Sequence, residues 1–181
     1  VTGAGVLGVS GATTLTAGGT FAPGSTLSLT AGTVTLSPAC NVTAATLNIG
    51  GGVLNYDSSG TVGVVHVTAG TLGGTSPVTV TGPLTLGGGT VTNALLTANG
   101  GLNINGGVTL SGGKLVNPGT ATWSLGNITG ANGAVFTNML GATFTNTFDG
   151  NMPSGAGATP LFINHGVFKK TGGTAALGAT S

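Results

Sequence analysis

The sequence predicts an all-β chain that folds as a single parallel β-helix, or β-solenoid, with turns of about nineteen residues. The first observation is a pattern, apolar-x-apolar followed by small residues, that recurs at a nearly constant spacing. The second is the alternation of apolar and polar residues in each copy, which is typical of a strand with one buried face. The third is that no segment has apolar residues at helical spacing, whereas glycine and β-branched residues are frequent. We expect the β-helix to be right-handed.

Each copy of the pattern is the first strand of a turn that contains three short strands. A glycine-rich corner follows the first strand, because glycine adopts positive φ without cost and lets the next turn pass closely. A second strand such as residues 33–35 and a third such as residues 78–80 complete the turn. A β-sandwich is the structural alternative, but its strands rarely repeat one local formula. The copies begin at Leu7, Leu27, Leu47, Val65, Leu84, Leu102 and, less regularly, Trp123.

Stacked copies place corresponding side chains in columns that run along the solenoid. We expect Leu27 to pair with Leu7 in one neighbouring turn and with Leu47 in the other. Each inward side chain should contribute about 1.5–3 kcal/mol through burial. The first inward column is Leu27, Leu47, Val65, Leu84 and Leu102. The second is Leu29, Ile49, Val67, Leu86 and Ile104.

Two regions of one continuous body are predicted. Residues 1–134 have the regular Gly/Thr-rich turns, and residues 135–181 have a different formula that is rich in Phe and Asn. Residues 149–160 form the longest turn-like run of the chain, and we expect a loop near residues 147–160 that is ejected from the solenoid. The phenylalanines should make the core wider at this end.

The composition limits the classes of partner. Charged residues are 3% of the chain, against about 25% in ordinary soluble domains. A surface with so little charge lacks the repulsion that keeps copies apart, so we expect self-association. No basic patch is present for nucleic acid, and no apolar run is long enough for a transmembrane segment. Because the sequence starts at Val1, we expect it to be a mature or excised piece of a longer protein.

The repeats resemble the haemagglutinin repeats of filamentous-haemagglutinin-type adhesins and autotransporter passenger domains of bacterial cell surfaces. The stretch from Phe162 to Gly173, Phe-x-Asn-x-Gly-x-Phe-Lys-Lys-Thr-Gly-Gly, is similar to Thr/Asn/Gly-rich repeats of very large bacterial surface proteins. The resemblance implies an exported, right-handed parallel β-helix that serves as a stalk, fibre or adhesin. It supplies no catalytic residues.

Catalysis is not expected, and the predicted catalytic, cofactor and metal sites are none. Parallel β-helices also include polysaccharide-active enzymes, but glycoside hydrolysis usually needs two carboxylates about 5–10 Å apart. Asp57 and Asp149 are the only acids, and they should lie about five turns apart. Residues 3–8 match the dinucleotide pattern G-x-G-x-x-G, but neither the preceding strand nor the following helix and acid is present.

The remaining reactive side chains are widely separated. His66, His165 and Cys40 lack the close spacing of a metal site. We expect the single cysteine to be a small buried side chain. Asn41 and Asn127 begin Asn-x-Thr triplets and are candidate glycosylation sites.

Ice binding is a rival function, because regular ranks of threonine on a flat face could order water. Thr33 with Thr35 and Thr90 with Thr92 fit this idea. The corresponding pairs in the turns between are Val53 with Asn55 and Thr71 with Gly73, so we expect the rank to be broken. Strand propensity alone would also favour threonine.

We therefore expect a structural, self-associating protein at the cell surface or outside the cell. It would form a fibre, sheath or filament by stacking β-solenoids, with copies of itself as partners. The main alternative is a stalk segment of a large bacterial adhesin, whose partners would be surface glycans or other cells.

Overall fold

The computed structural model describes residues 4–11 and 14–174, and in this part of the chain it contains 22 strands and no helix. The strands stack in parallel as a β-solenoid of about 8 turns, with corresponding residues about 20 positions apart. The predicted all-β parallel β-solenoid is therefore confirmed, with a turn about one residue longer than expected. The strands, numbered in chain order, form three faces that follow one another in each turn.

The first face contains the strands that carry the repeated apolar-x-apolar pattern. Its strands are β1 (Val6–Val9), β4 (Thr26–Leu29), the second halves of β6 (Asn41–Ile49) and β8 (Ser59–Val67), β11 (Leu84–Leu86), β14 (Leu102–Asn105), β17 (Thr120–Leu125), β20 (Thr143–Asn146) and β22 (Val167–Lys170).

The second face is a separate 7-stranded sheet. Its strands are β2 (Thr14–Ala17), β5 (Thr33–Leu36), β7 (Val53–Tyr56), β9 (Thr71–Gly73), β12 (Thr90–Val91), β15 (Val108–Ser111) and β18 (Ile128–Ala131).

The third face is joined to the first in one 15-stranded sheet, because β6 and β8 continue around the corner between the two faces. Its strands are β3 (Thr20–Phe21), the first halves of β6 and β8, β10 (Val78–Val80), β13 (Leu96–Ala98), β16 (Lys114–Asn117), β19 (Val135–Asn138) and β21 (Leu161–Asn164).

The register of the first face agrees with the predicted columns. Leu27 pairs with Leu7 in one neighbouring turn and with Leu47 in the other. The column continues in register through Val65 and Leu84 to Leu102. All members of both predicted inward columns are buried, so each turn closes the apolar core of its neighbours.

The predicted start of the seventh copy at Trp123 is wrong by two residues. Trp123 pairs with Ile104 and belongs to the second column, whereas Ala121 pairs with Leu102. Ala121 is buried in the first column, where its small side chain lies beside the larger ring of Phe144 in the next turn. The apolar-x-apolar pattern of this turn is therefore Ala-Thr-Trp, and the bulky tryptophan marks its second position.

Glycines at the corner between the first and second faces follow from close backbone packing. Gly52 and Gly70 have φ of 68° and 72°, in the left-handed region that favours glycine. The carbonyl oxygen of Gly52 accepts the N–H of Thr71 over 2.9 Å. A Cβ at Gly70 would come within 2.6 Å of the backbone of the preceding turn. Both the backbone conformation and the lack of space exclude larger residues at this corner.

Most of the segment 147–160, which the sequence predicts to be an ejected loop, stays on the solenoid. Residues 151–158 run along β18, with N–H groups of Ile128 and Gly130 donating to the carbonyls of Asn151 and Pro153, each over 3.1 Å. Gly130 and Ser154 form an isolated parallel bridge. Pro153 and Pro160 have no N–H to donate, so the segment continues the second face beyond the edge of β18 without forming a regular strand.

Two Phe-x-Asn triplets of the last turns end in a buried asparagine, Asn138 and Asn146. Asn93 and Asn117 are buried as well. The side-chain oxygen of Asn146 accepts the N–H of Phe148 over 3.0 Å, so the amide closes the turn that ends the strand. Asn93 does the same with the N–H of Leu95.

Three asparagines of the third face also form a side-chain ladder from turn to turn. Nδ2 of Asn117 donates to Oδ1 of Asn138 over 2.8 Å, and Nδ2 of Asn138 donates to Oδ1 of Asn164 over 2.7 Å. Asn146 lies on the first face, and its position in the next turn is taken by Lys170 rather than by another asparagine. Its Nδ2 is buried without a hydrogen-bond partner among the described residues.

The core near the last turns is aromatic. Trp123 stacks on Phe144 with ring centroids 6.0 Å apart, and Phe148 meets its ring edge-on at 5.4 Å. Phe136 and Phe162 continue the contacts to the third face. Turns in this region are longer, since Ala121 and its partner Phe144 are 23 residues apart, so the larger rings fill a wider cross-section.

We predict that Ile49→Asp unfolds the chain or lowers its free energy of unfolding by several kcal/mol, because an unpaired carboxylate would be buried in the second column. Urea denaturation followed by circular dichroism measures the change. Asn48→Asp is the matched control, since Asn48 is the neighbouring outward residue of the same strand. Equal stability of the two variants would mean that Ile49 does not face the core.

We predict that Asn138→Leu lowers the free energy of unfolding by about 1–3 kcal/mol, because it removes both ladder bonds and leaves a buried amide with fewer partners. The control is Asn103→Leu at an exposed position of β14, which should change stability by less than about 0.5 kcal/mol. A loss no greater than that of the control would show that the ladder does not stabilise the fold.

Candidate functional surfaces

The two carboxylates are at separate corners of the solenoid. Oδ1 of Asp57 accepts hydrogen bonds from both the N–H and the hydroxyl of Thr75, each over 2.7 Å. Asp149 lies about five turns further along the axis, as the strand pairing of the second face shows. With turns about 4.8 Å apart, that separation is about 24 Å. This exceeds the distance at which two carboxylates could act on one glycosidic bond.

Asp149 forms the one ion pair of the described residues, with Lys170. Nζ of Lys170 donates to Oδ1 of Asp149 over 2.9 Å and to the carbonyl oxygens of Phe148 and Gly172, each over 2.8 Å. Oδ2 of Asp149 accepts the N–H of Thr174. Such a partly exposed pair contributes about 0–1 kcal/mol. It fastens residues 170–174 to the preceding turn, a role that the sequence did not indicate.

The histidines and the cysteine are not brought together. His66 lies on the outward side of the first face, and His165 is exposed at the corner between β21 and β22. Cys40 is buried, and burial raises the pKa of its thiol, although a hydrogen bond with Ser58 opposes the rise. Within residues 4–11 and 14–174, no group of three or more His, Cys, Asp or Glu could hold a metal ion.

The match to the dinucleotide pattern falls on a strand. Residues 6–8 belong to β1, and the next described element is strand β2. The pattern therefore lacks a helix whose N-terminus could meet a phosphate. Gly3 lies outside the described residues.

Both candidate glycosylation residues are at the surface. Asn41 is exposed in β6, and its Oδ1 accepts the hydroxyl of Thr43 over 3.4 Å. Asn127 is exposed before β18, and its Oδ1 accepts the N–H of Asn151 over 3.1 Å. Whether either amide carries a sugar stays a prediction.

The outward side of the second face has a column of threonines. Two columns of outward residues run along this face, for example through Thr33 and through Thr35. The expected break in the rank is present in the second column, where Asn55 and Gly73 follow Thr35. At the first outward position only Val53 interrupts the column. This threonine column consists of Thr14, Thr33, Thr71, Thr90, Thr109 and Thr129, with Val53 between Thr33 and Thr71.

At the first turn, the described core stops at partly buried apolar side chains. Leu7 and Leu15 are partly buried against the core. A cavity of about 230 Å³ is lined by these two side chains, Ala17 and Phe21.

In the last turns the core also stops at partly buried apolar side chains. Phe162 and Phe168 are only partly buried. A smaller apolar cavity of about 60 Å³ is lined by residues that include Phe136, Met152 and Phe162. The described ends of the solenoid are therefore apolar surfaces with unpaired strand edges.

Among the described residues, no helix combines the length and apolar character needed to cross a membrane.

Comparison of the chain with models of known protein families, with curated protein sequences and with solved structures finds no match.

Proposed function

We propose that this chain is a structural, self-associating protein outside the cell or at its surface, which builds a fibre, sheath or filament by end-to-end stacking of β-solenoids. The observation that carries the proposal is the open apolar core at both described ends. At the first turn the core stops at Leu7 and Leu15, and in the last turns it stops at Phe162 and Phe168. Further strands laid on these edges would bury side chains that are now only partly covered.

The strand edges support the same proposal. A free edge attracts further strands unless charge, proline or a covering segment prevents it. Strand β1 has no charged residue, and its Val6 is 68% exposed. Val167 occupies the corresponding position of β22 at the other end of the first face and is 48% exposed. Of the two lysines in β22, Lys170 is held by Asp149, so Lys169 alone discourages pairing by its charge.

The geometry of such contacts favours filaments. The two ends of a solenoid are different surfaces, so an end-to-end contact is heterologous and leaves a free end on each copy. Such contacts add further copies unless the stack closes into a ring, and a straight stack does not close. The low charge of the chain reduces repulsion between copies.

The runner-up is a stalk segment of a large adhesin. In that case the edges of β1 and β22 would be covered by further turns of the same polypeptide rather than by another copy. Surface glycans or other cells would then be partners of a binding region elsewhere in the adhesin. The resemblance of the repeats to bacterial surface proteins supports an exported protein in both proposals.

An enzymatic function finds less support in the geometry. Asp57 and Asp149 are about five turns apart, and each is already engaged in hydrogen bonds that hold a corner. A polysaccharide-active site would need two such groups around one bond. The structural proposal therefore uses no catalytic residue, cofactor or metal.

We predict that the purified chain forms rods that lengthen with concentration at the width of a single solenoid. Electron microscopy and sedimentation velocity measure length and mass. Val6→Lys should shorten the rods, because a charge on the edge of β1 opposes pairing with another strand.

Leu125→Lys is the matched control, since Leu125 is 60% exposed but lies within the solenoid, in β17. It should leave the length distribution unchanged. Monodisperse short rods at every concentration would contradict self-assembly and favour the stalk. Equal shortening by both variants would show that surface apolarity, rather than the edge, drives association.

A further inference from the structure

We propose that the threonine column of the second face is a binding surface for ice, that is, for water in an ordered lattice. The inference is independent of the proposed assembly, because it concerns the side of the solenoid and not its ends. It depends on four properties of this face: free hydroxyls, a fixed repeat, a second column beside the first, and the absence of charge.

The hydroxyls of the column are available to water. Within the described residues, no hydrogen bond joins the side chain of Thr33, Thr71, Thr90 or Thr109 to another protein group, and the same is true of Thr14 and Thr129. Some threonines elsewhere differ in this respect. The hydroxyl of Thr75 donates to Asp57, and that of Thr81 donates to the carbonyl of Val62. The column therefore presents donors and acceptors that the fold does not use.

The repeat of the column is fixed by the core behind it. Neighbouring strands of a sheet lie about 4.8 Å apart, so seven strands give a rank about 29 Å long. The inward residues next to the column, such as Val34, Leu54 and Leu72, are fully buried and hold each strand in place. Threonine has a restricted χ1 because it is β-branched. Hydroxyl and methyl groups are thus held at a spacing close to the lattice repeat of hexagonal ice.

A second column makes the array two-dimensional. Thr16, Thr35 and Asn55 lie two residues after the threonine column, in register from turn to turn. Nδ2 of Asn55 donates to the hydroxyl of Thr35 over 3.4 Å. Although this column is interrupted at Gly73, it widens the polar surface, and Val53 retains a β-branched shape within the first column. A flat lattice would therefore meet the face over several strands at once.

The face carries no formal charge, which matches a neutral lattice. Lys114 lies in β16 of the third face, Lys169 and Lys170 lie in β22 of the first, and Asp57 and Asp149 lie at corners. A charged side chain would orient water around itself and disturb a regular lattice. No aromatic ring lies on the outward side of these seven described strands, so the face does not offer the stacking platform that sugar rings use.

The third face is the closest comparison within the molecule. Its outward column contains Thr43, Thr61, Thr79 and Thr97 and is then interrupted by Val116. It is narrower in the middle turns, because β10 and β13 have one outward residue each, and the same face carries Lys114. The third face therefore supplies the matched control for the experiment.

We predict that the chain slows ice growth and partitions into ice, and that Thr71→Lys with Thr90→Lys abolishes most of both effects. These two threonines are direct neighbours in the column. Thermal hysteresis, inhibition of ice recrystallisation and the fraction of protein incorporated into a growing ice hemisphere measure the effect. The control is Thr61→Lys with Thr79→Lys, an equivalent neighbouring pair on the third face, which should retain the parent activity.

Circular dichroism and sedimentation velocity establish that both double variants are folded and have the same mass distribution as the parent. Thr71→Val with Thr90→Val tests the balance of hydroxyl and methyl groups and should retain part of the activity. Absence of ice activity in the folded parent would overturn the proposal. So would equal loss in the two lysine variants, or loss confined to the third-face variant. None of these results bears on filament formation, which has its own assay.

Discussion

The structure depends on one constraint: the backbone hydrogen bonds of each strand are made with the turns before and after it, in parallel and in register. Short strands cannot satisfy these groups within one turn, so every turn needs neighbours. Because of this register, each position recurs in every turn along the axis. Apolar residues that recur at one position therefore form a buried column. It also fixes the corners, where stacked glycines such as Gly52 and Gly70 bring successive backbones close together.

The apolar columns of the first face were predictable because bulky side chains repeat there at a nearly constant spacing. Leu27 and Ile49 are correctly placed from spacing alone. The spacing is misleading where the repeated position holds a small residue. Ala121 is too small to mark the first column, so the sequence points to Trp123, which lies in the second column. Residues 151–158 look like a free loop because proline and glycine are frequent in them, yet their carbonyls accept hydrogen bonds from β18.

The buried asparagines and the surface columns needed the three-dimensional register. The sequence shows Phe-x-Asn repeats but does not reveal that Asn138 links two turns through its side chain. Likewise, in the sequence Val53 and Gly73 both interrupt a rank of threonines, whereas the strand pairing places them in different columns. In a solenoid the chemistry of a surface is set by residues about 20 positions apart, so small differences in turn length decide which side chains become neighbours.

The two rarest chromophores of the chain give the fold a built-in pair of optical reporters. The sequence has one tyrosine and one tryptophan, and both side chains are fully buried. Tyr56 belongs to the third turn, and Trp123 belongs to the seventh, inside the aromatic core. Because each turn contacts only its neighbours, the absorbance of one ring and the emission of the other sense different stretches of the rod. Coincident loss of the two signals would reveal an all-or-none body, and separate losses would reveal fraying that advances from one end.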